Sequence, residues 1–313
     1  MAKVKFAALG PGACIGVVAP ASPVDSEERL EAALAALRKQ GFTLRLGRTV
    51  RARAGFLAGT DGERRADLEA LWADPTVDAV WCLRGGYGCL RLLSRLYYRQ
   101  FGKSPKPLIG FSDISALQLA LWTETRLPTF HGPVLTTLER SEFTTAMALR
   151  MLAGRQDLEP LAWPEGYQPA PIRPGQASGV LLGGNLATLL SLLGTRFLPN
   201  LEGAVVFLEE IDEPAYKIDR MLTQLSLAGV FGDAAAVLIG RSVPVPEESE
   251  ADLAAVFTAH LQHWPCPSAY GFPIGHGLHQ WTLPLGYPVA VNTANGDLRL
   301  LESPFLGDTN DDK

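Results

Sequence analysis

The stretch VDAVWCLRGGYG, residues 77–88, predicts the fold of the first half of the chain. Its apolar run Val77–Leu83 has the length of a buried strand, and the glycines that follow it favour a tight turn. A second apolar run, Pro107–Gly110, predicts another strand, which is followed directly by Phe111-Ser112-Asp113. Helical patterns follow the two runs, at Cys89–Tyr98 and at Ile114–Glu124. Strands that alternate with helices predict βαβ units, in which helices cover both faces of a parallel sheet.

The same alternation begins near the N-terminus. We predict strands at Cys14–Ala19 and Thr43–Leu46, and helices at Ser26–Gln40 and Asp61–Ala73. In the first of these helices the leucines recur at the spacing of a single helix face. The pattern therefore predicts an N-terminal α/β domain over residues 1–153.

A change of composition separates the two halves of the chain. Residues 154–178 contain five prolines and no clean period, which predicts an extended linker. We expect a second domain over residues 179–313, ending in a hairpin that turns at Asn295-Gly296, a pair favoured where φ is positive. The predicted elements of this domain are strands at Gly179–Leu182, Ala204–Leu208, Ala235–Ile239, Val289–Val291 and Leu298–Leu301, and helices at Leu186–Leu193, Ile218–Ala228 and Ala251–His263.

The composition excludes several classes of protein. Of the 313 residues, 47% are hydrophobic and 19% are charged, which is typical of a globular protein and not of a disordered one. The net charge is −5, whereas nucleic-acid-binding domains are usually basic, so we expect no nucleic-acid partner. No apolar run reaches the roughly 18 residues that a membrane-spanning helix needs, and no membrane partner is expected.

The N-terminus and the cysteines indicate the cellular compartment of the protein. Residues 1–22 loosely resemble a signal peptide, but Gly10, Pro11 and Gly12 interrupt the apolar stretch. The four cysteines form no CxxC motif and no pair with zinc-ligand spacing, which is typical of free thiols in a reducing compartment. We therefore expect a cytoplasmic protein, and we expect neither a metal site nor a cofactor.

Ser112 is the first candidate for chemistry. It lies between the end of a predicted strand and the start of a predicted helix, and ligands of open α/β sheets bind at such strand ends. The amides at the start of the helix can stabilise negative charge. This arrangement has the outline of a nucleophile elbow, although GFSDI (110–114) is not G-x-S-x-G. The alternative is that Ser112 or Asp113 only caps the helix.

The Gly-rich turn RGGYG (84–88) follows the neighbouring strand. Its glycines allow a tight bend and a close approach to a ligand, and their amides could form an oxyanion or phosphate nest. The alternative is a strand-to-helix turn that merely needs positive φ. The sequence lacks the Gly-Lys-Ser/Thr ending of a nucleotide-binding P-loop.

A serine nucleophile usually needs a histidine base, and the chain has five histidines. His276 is favoured because the Gly-flanked loop FPIGHG (272–277) can hold an exposed and oriented imidazole. His279, three residues later, competes with it. His131 could line the site or pack a loop. The remaining two, His260 and His263, lie on a polar helix and are expected to be solvated.

The acid that orients the base is sought in EEIDE (209–213), which follows an apolar strand. Carboxylates at a buried strand end are costly without a partner such as a histidine. Along an extended strand, Glu209 and Glu210 point to opposite faces. The residues alone do not choose among Glu209, Glu210 and Asp212, and a solvated acidic loop is the alternative to all three.

Taken together, these segments resemble the LD-carboxypeptidases, the muramoyl-tetrapeptide carboxypeptidase family of serine peptidases. The resemblance covers nearly the whole chain. No single motif is decisive, and the match is specific because all of the motifs occur in the right order. The motifs are VVAPASP (17–23), FLAGTD (56–61), RGGYG (84–88), GFSD (110–113), GGNL (183–186), FLEEIDEPAYKIDRML (207–222), GHGLHQWTLPLG (275–286) and the terminal hairpin.

The resemblance implies a Ser-Glu-His triad, made here by Ser112, Glu209 and His276. It implies an oxyanion hole formed by the backbone amides of Gly85 and Asp113. It also implies a basic group that meets the terminal carboxylate of the substrate. Arg84 is the candidate, with a structural ion pair as the alternative, and Gly86 and Tyr87 are further candidates for substrate binding.

The resemblance also implies a fold and a reaction. The fold would be a flavodoxin-like N-terminal α/β domain with a parallel sheet, and a smaller C-terminal domain rich in β structure, of the swivelling β/β/α type, with the site between them. The reaction would be release of terminal D-alanine from murein tetrapeptides during peptidoglycan recycling, by a homodimer. Two rival functions are a microcin-immunity-type serine hydrolase acting on peptidyl- or acyl-adenylates and a non-catalytic anion-binding module. The first rival is disfavoured because residues 241–250 are short and carry no aromatic residue that could stack an adenine.

Overall fold

Two β-sheets organise the protein in a computed structural model, which describes residues 4–155 and 158–306. The strands are β1 Cys14–Val18, β2 Thr43–Leu46, β3 Ala79–Cys82, β4 Leu108–Gly110, β5 Thr129–His131, β6 Ala170–Arg173, β7 Gln176–Asn185, β8 Val205–Glu209, β9 Ala236–Gly240, β10 Ser268–Phe272, β11 Leu283–Leu285, β12 Pro288–Asn292 and β13 Asp297–Leu300. The α-helices are α1 Glu27–Lys39, α2 Asp61–Ala73, α3 Tyr98–Lys103, α4 Ile114–Thr125, α5 Glu142–Leu152, α6 Leu186–Leu190, α7 Ala215–Leu227 and α8 Glu250–Leu261.

The first sheet has the strand order β11-β5-β4-β3-β1-β2. Strands β1 to β5 are parallel to their neighbours, and β11 joins β5 in antiparallel register. Read from β2, the order 2-1-3-4-5 is that of flavodoxin-like folds. Every residue of β3 and β4 is buried, as expected of strands covered on both faces. The predicted parallel α/β architecture is therefore confirmed.

The second sheet has the order β13-β12-β7-β8-β9-β10-β6. Its centre, β7-β8-β9-β10, is parallel, while β6, β12 and β13 pair in antiparallel fashion. The terminal hairpin β12–β13 forms as predicted, with Gly296 at φ 78° in its turn. Within the described ranges, no helix is both long and apolar enough to cross a membrane.

The segment after the Gly-rich turn is not the single helix predicted over Cys89–Tyr98. Two short 3₁₀ turns, Cys89–Arg91 and Leu93–Arg95, occupy it, and α3 begins only at Tyr98. The Cys89 amide donates to the Asp113 carboxylate over 2.8 Å, and the Gly88 carbonyl accepts from Arg64 over 3.1 Å. These tertiary hydrogen bonds hold the backbone in a shape that local helix propensity does not favour.

The predicted linker is also partly wrong. Strand β6 pairs with β10, and β7 pairs with β12 from Gln176 onward, so the second sheet begins inside residues 154–178. Of the five prolines that indicated a linker, Pro171 lies within β6 and is tolerated because β6 is an edge strand, where a missing N–H costs little. Of the predicted linker, residues 156–157 lie outside the described residues, as do residues 307–313 of the predicted second domain. Strand β11 crosses the predicted division too, since it belongs to the first sheet.

His131 lies where the two sheets meet. It ends β5, is fully buried, and packs edge-on against Phe207 of β8 with ring centroids 4.7 Å apart. Burial lowers the pKa of His131 to about 4, against 6.5 for an ordinary histidine. The folded protein therefore holds a neutral imidazole that the unfolded chain would protonate below pH 6.5.

We predict that His131 makes the protein acid-sensitive. Because the folded pKa is depressed, its contribution to stability is intact above pH 6.5 and is lost as the pH falls toward 4, by up to about 3 kcal/mol. His131→Phe should flatten the free energy of unfolding between pH 6.5 and pH 4, measured by urea denaturation at several pH values. His263→Gln, which changes an exposed histidine, should leave the wild-type slope. An unchanged slope in His131→Phe would contradict the prediction.

Candidate active site

The turn that carries Ser112 is strained. Between the end of β4 and the start of α4, Ser112 has a φ of 64°, a region that residues other than glycine rarely adopt. Strain of this kind is concentrated at functional sites and is a feature of the nucleophile elbow. Asp113 occupies the N-cap position, but its side chain makes no capping hydrogen bond. Its carboxylate instead accepts the Cys89 amide. The capping alternative therefore does not account for Ser112-Asp113.

The Gly-rich turn lies directly against Ser112. A Cβ at Gly85 would lie 2.9 Å from the Ser112 Cβ, so only glycine permits this approach. The turn is held by Ser22, whose amide donates to the Gly85 carbonyl over 3.2 Å and whose hydroxyl accepts the Tyr87 amide over 3.1 Å. Among the described residues, the amides of Gly85 and Asp113 donate to no protein acceptor. Two uncommitted N–H groups thus adjoin the candidate nucleophile.

Glu209 and His276 form a buried pair. The distance from His276 Nδ1 to Glu209 Oε2 is 2.6 Å, and the Glu209 side chain is fully buried. Burial alone raises the pKa of a carboxyl, but the charge and hydrogen bond of His276 hold the pKa of Glu209 below its usual value. The loop passes close over this carboxylate because Gly275 has no side chain: a Cβ there would lie 2.3 Å from Glu209 Oε2.

The pair also lies beside the serine turn. The His276 ring packs against Phe111, the residue before Ser112, with centroids 4.6 Å apart. In the described structure Ser112 Oγ makes no hydrogen bond to the imidazole. Such bonds are often long before substrate binds and tighten in the complex, so the missing bond is compatible with a nucleophile and its base.

Glu210 points to the other face of β8, as the alternation along a strand predicts. Its carboxylate accepts hydrogen bonds from Asn185 Nδ2 over 2.7 Å, the Ala187 amide over 2.8 Å and the Ile211 amide over 3.0 Å. Burial and the neighbouring Glu209 charge raise the pKa of Glu210 to about 7. Of Glu209 and Glu210, it is Glu209 that contacts the imidazole, so the geometry favours Glu209 as the acid of the candidate site.

A cavity of about 260 Å³ opens beside Ser112. Its lining comes from both halves of the chain: Gly86, Tyr87, Leu90, Ser112, Asp113, Asn185, Ala187, Thr188, Ser191, Glu210 and Ile211. Larger cavities, of about 450 and 630 Å³, lie elsewhere and contain none of the predicted site residues. Of these three cavities, the smaller one is the relevant one because it is the one that Ser112 lines.

Two predicted residues have other partners. His279 Nδ1 lies 3.0 Å from Ser141 Oγ, and its ring packs against Phe143 and Tyr167, so His279 holds its loop in place. Arg84 donates to the Pro23 carbonyl over 2.7 Å and pairs with Asp25, which is the structural ion pair named as the alternative to carboxylate binding.

One residue at the site escaped the sequence analysis. Arg140 Nη1 donates to the carbonyls of His276 and Gly277, over 2.6 and 2.9 Å. It follows no motif and lies at the end of a 3₁₀ helix, Leu135–Arg140, in the first half of the chain. No local signal could have found it, because its partners are main-chain atoms about 136 residues away.

The arrangement has the parts that acyl transfer requires. A strained serine lies beside an imidazole, a buried carboxylate holds that imidazole, and free amides adjoin the serine. A simple anion nest would need the amides only and leaves the buried pair of Glu209 and His276 unexplained.

Comparison with known proteins gives two family matches along the chain. Residues 15–132 match the LD-carboxypeptidase N-terminal domain, and residues 178–291 match the LD-carboxypeptidase C-terminal domain. The chain is 37% identical over 299 residues to a probable murein peptide carboxypeptidase of Bacillus subtilis, covering 92% of this chain and 91% of that protein. It is 36% identical over 286 residues to the murein tetrapeptide carboxypeptidase of Pseudomonas aeruginosa, covering 87% and 91%.

Solved structures share the fold. A muramoyltetrapeptide carboxypeptidase from Oxalobacter formigenes superposes with a TM-score of 0.79 at 27% identity, covering 92% of this chain and 97% of that one. The microcin self-immunity protein MccF superposes with a TM-score of 0.90 at 24% identity, covering 97% and 100%, a likeness of fold alone. The two domain matches and the carboxypeptidase relatives establish that this chain belongs to the LD-carboxypeptidase family of peptidases.

Proposed function

We propose that this peptidase is a serine LD-carboxypeptidase, which releases the terminal D-alanine of murein tetrapeptides in peptidoglycan recycling. The observation that carries the proposal is the hydrogen bond of 2.6 Å between His276 and the buried Glu209, beside the strained turn of Ser112. The relatives named for murein peptides support the substrate class.

The proposed mechanism has two halves. Ser112 Oγ attacks the carbonyl carbon of the diaminopimelate residue while His276 takes the hydroxyl proton and Glu209 stabilises the imidazolium. The amides of Gly85 and Asp113 bind the developing oxyanion. The C–N bond then breaks, His276 gives its proton to the amine of D-alanine, and an ester to Ser112 remains. Water hydrolyses that ester, with His276 again taking the proton.

The cavity size supports cleavage at a chain end. At about 260 Å³ the cavity falls just below the roughly 300–1,000 Å³ of drug-sized ligand sites. It can enclose a terminal residue but not a whole tetrapeptide. The remainder of the substrate would lie across the rim, where Tyr87 is about half exposed.

One observation favours a second candidate, hydrolysis of an acyl- or peptidyl-adenylate. Phe56 and Tyr87 are both exposed, and their rings lie edge to face with centroids 5.5 Å apart at the rim of the cavity. Aromatic side chains of this kind can stack a nucleobase. A structure of MccF holds aspartyl sulfamoyl adenosine, which makes that compound a suitable second substrate in the assay.

The deciding experiment is mass spectrometry of the tetrapeptide L-Ala-γ-D-Glu-meso-diaminopimelate-D-Ala after incubation with the protein in the presence of a chelator. Loss of a single D-alanine supports the first candidate. Cleavage of aspartyl sulfamoyl adenosine but not of the tetrapeptide would replace it with the second. If folded protein cleaves neither compound, the anion-binding alternative is favoured.

We predict that Ser112→Ala abolishes hydrolysis, lowering kcat by at least about 1,000-fold because no acyl-enzyme can form. The rate is to be measured as D-alanine released, and folding as the midpoint of thermal unfolding. Ser226→Ala, which changes an exposed serine of α7, should keep the wild-type rate. Metal-independent activity that survives in Ser112→Ala would exclude a serine nucleophile at this position.

We predict that Glu209→Gln lowers kcat by about 100- to 10,000-fold, because a neutral amide neither stabilises the imidazolium nor enforces its tautomer. The matched control is Glu213→Gln in the same acidic cluster, where the carboxylate pairs with Lys217 over 3.0 Å and does not contact His276. Glu213→Gln should retain the wild-type kcat. Equal losses in the two variants would show that Glu209 acts through general charge rather than through the histidine.

A further inference from the structure

The loop that carries His276 has little secondary structure of its own. It runs between β10 and β11 and is closed by the Trp281 amide, which donates to the Pro273 carbonyl over 2.7 Å. The hydrogen bond to Glu209 fixes one edge of the imidazole but not the backbone that bears it. The position of the ring relative to Ser112 therefore depends on what holds the loop.

Arg140 holds this backbone directly. A single nitrogen, Nη1, donates to two consecutive carbonyls, those of His276 and Gly277. Within the described residues Arg140 makes no carboxylate ion pair; its hydrogen bonds go to main-chain oxygens, and the Glu209 charge acts on it through space. Burial lowers the pKa of Arg140, yet a guanidinium remains protonated in proteins, and these are charge-assisted bonds.

The residues after Arg140 hold the next part of the loop. Ser141 Oγ lies 3.0 Å from His279 Nδ1, and Thr144 Oγ1 accepts the Gln280 amide over 3.0 Å. Residues 140–144, which we call the clamp, thus contact the loop before and after Leu278. The clamp comes from the first half of the chain, as does Ser112, whereas the loop comes from the second half.

We propose that Arg140 is a positioning residue that sets the imidazole of His276 against Ser112 by fixing the carbonyls of His276 and Gly277. This inference rests on the proposed serine-hydrolase function. The two hydrogen bonds of Arg140 go to the loop that carries the base, and Arg140 does not line the cavity beside Ser112. Loss of the Arg140 guanidinium leaves the side chains of Ser112, Glu209 and His276 unchanged but lets the loop that carries His276 shift.

The test compares Arg140→Gln, Arg140→Lys and Arg140→Ala with wild type. In Arg140→Gln we expect kcat for the tetrapeptide to fall about 10- to 100-fold, the scale of a misplacement of about 1 Å, with KM changed less than about twofold. Arg140→Lys should be intermediate, because its ammonium can still donate to main-chain carbonyls but lies at the end of a shorter side chain. Added methylguanidinium should restore part of the rate in Arg140→Ala. The control is Arg38→Gln, which removes an exposed guanidinium of α1 and should behave as wild type.

A second readout separates this inference from the choice of substrate. Labelling of Ser112 by a small fluorophosphonate needs an activated serine but no peptide, and its rate should fall with kcat across the Arg140 series. If the wild-type protein is labelled but does not cleave the tetrapeptide, the proposed substrate is wrong and the inference about Arg140 still holds. The inference would be overturned if folded Arg140→Gln were labelled at the wild-type rate, or if the substitution raised KM and left kcat unchanged. Wild type that is not labelled would overturn both.

Discussion

The structure depends on the contact between a buried carboxylate and an imidazole. Glu209 is fully enclosed at the end of β8, and an ionised carboxylate in such a place costs several kcal/mol unless a partner satisfies it. His276 is that partner, at 2.6 Å. The contact requires the loop to pass within reach of the strand end, which only a glycine at position 275 permits. The need to pair one buried charge therefore brings the loop between β10 and β11 close to the end of β8.

The two glutamates at the end of β8 join the halves of the protein on opposite faces of the strand. Glu209 reaches the histidine that packs beside Phe111. Glu210 accepts a hydrogen bond from the side chain of Asn185, whose main-chain amide donates over 3.3 Å to Ser115 Oγ in the first turn of α4. Each face of β8 is thereby connected to the turn or the helix that carries the candidate nucleophile. A site divided between two sheets is stabilised by pairs of this kind.

The sequence predicted those parts of the protein whose cause is local. Apolar runs predicted most strands of both sheets but not β6, β10 or β11. Ser112 was identified because a polar residue follows a buried strand at the edge where ligands bind. The course of residues 89–98 was mispredicted, since their shape depends on the Asp113 carboxylate. Alternation along β8 separated Glu209 from Glu210 but could not say which one meets a histidine 67 residues away. Arg140 bonds to carbonyls, which every residue has, and so it carries no sequence signal.

The choice of main-chain partners for Arg140 has a chemical advantage. A guanidinium in contact with Glu209 would compensate the negative charge that the imidazolium needs, and one in contact with the imidazole would oppose its protonation. By bonding to the carbonyls of His276 and Gly277, Arg140 can fix the base without competing for the proton that must move. The ring keeps one nitrogen on Glu209 and leaves the other for the serine. Positioning thus acts through the backbone of the loop, whereas proton transfer takes place at the ring of His276.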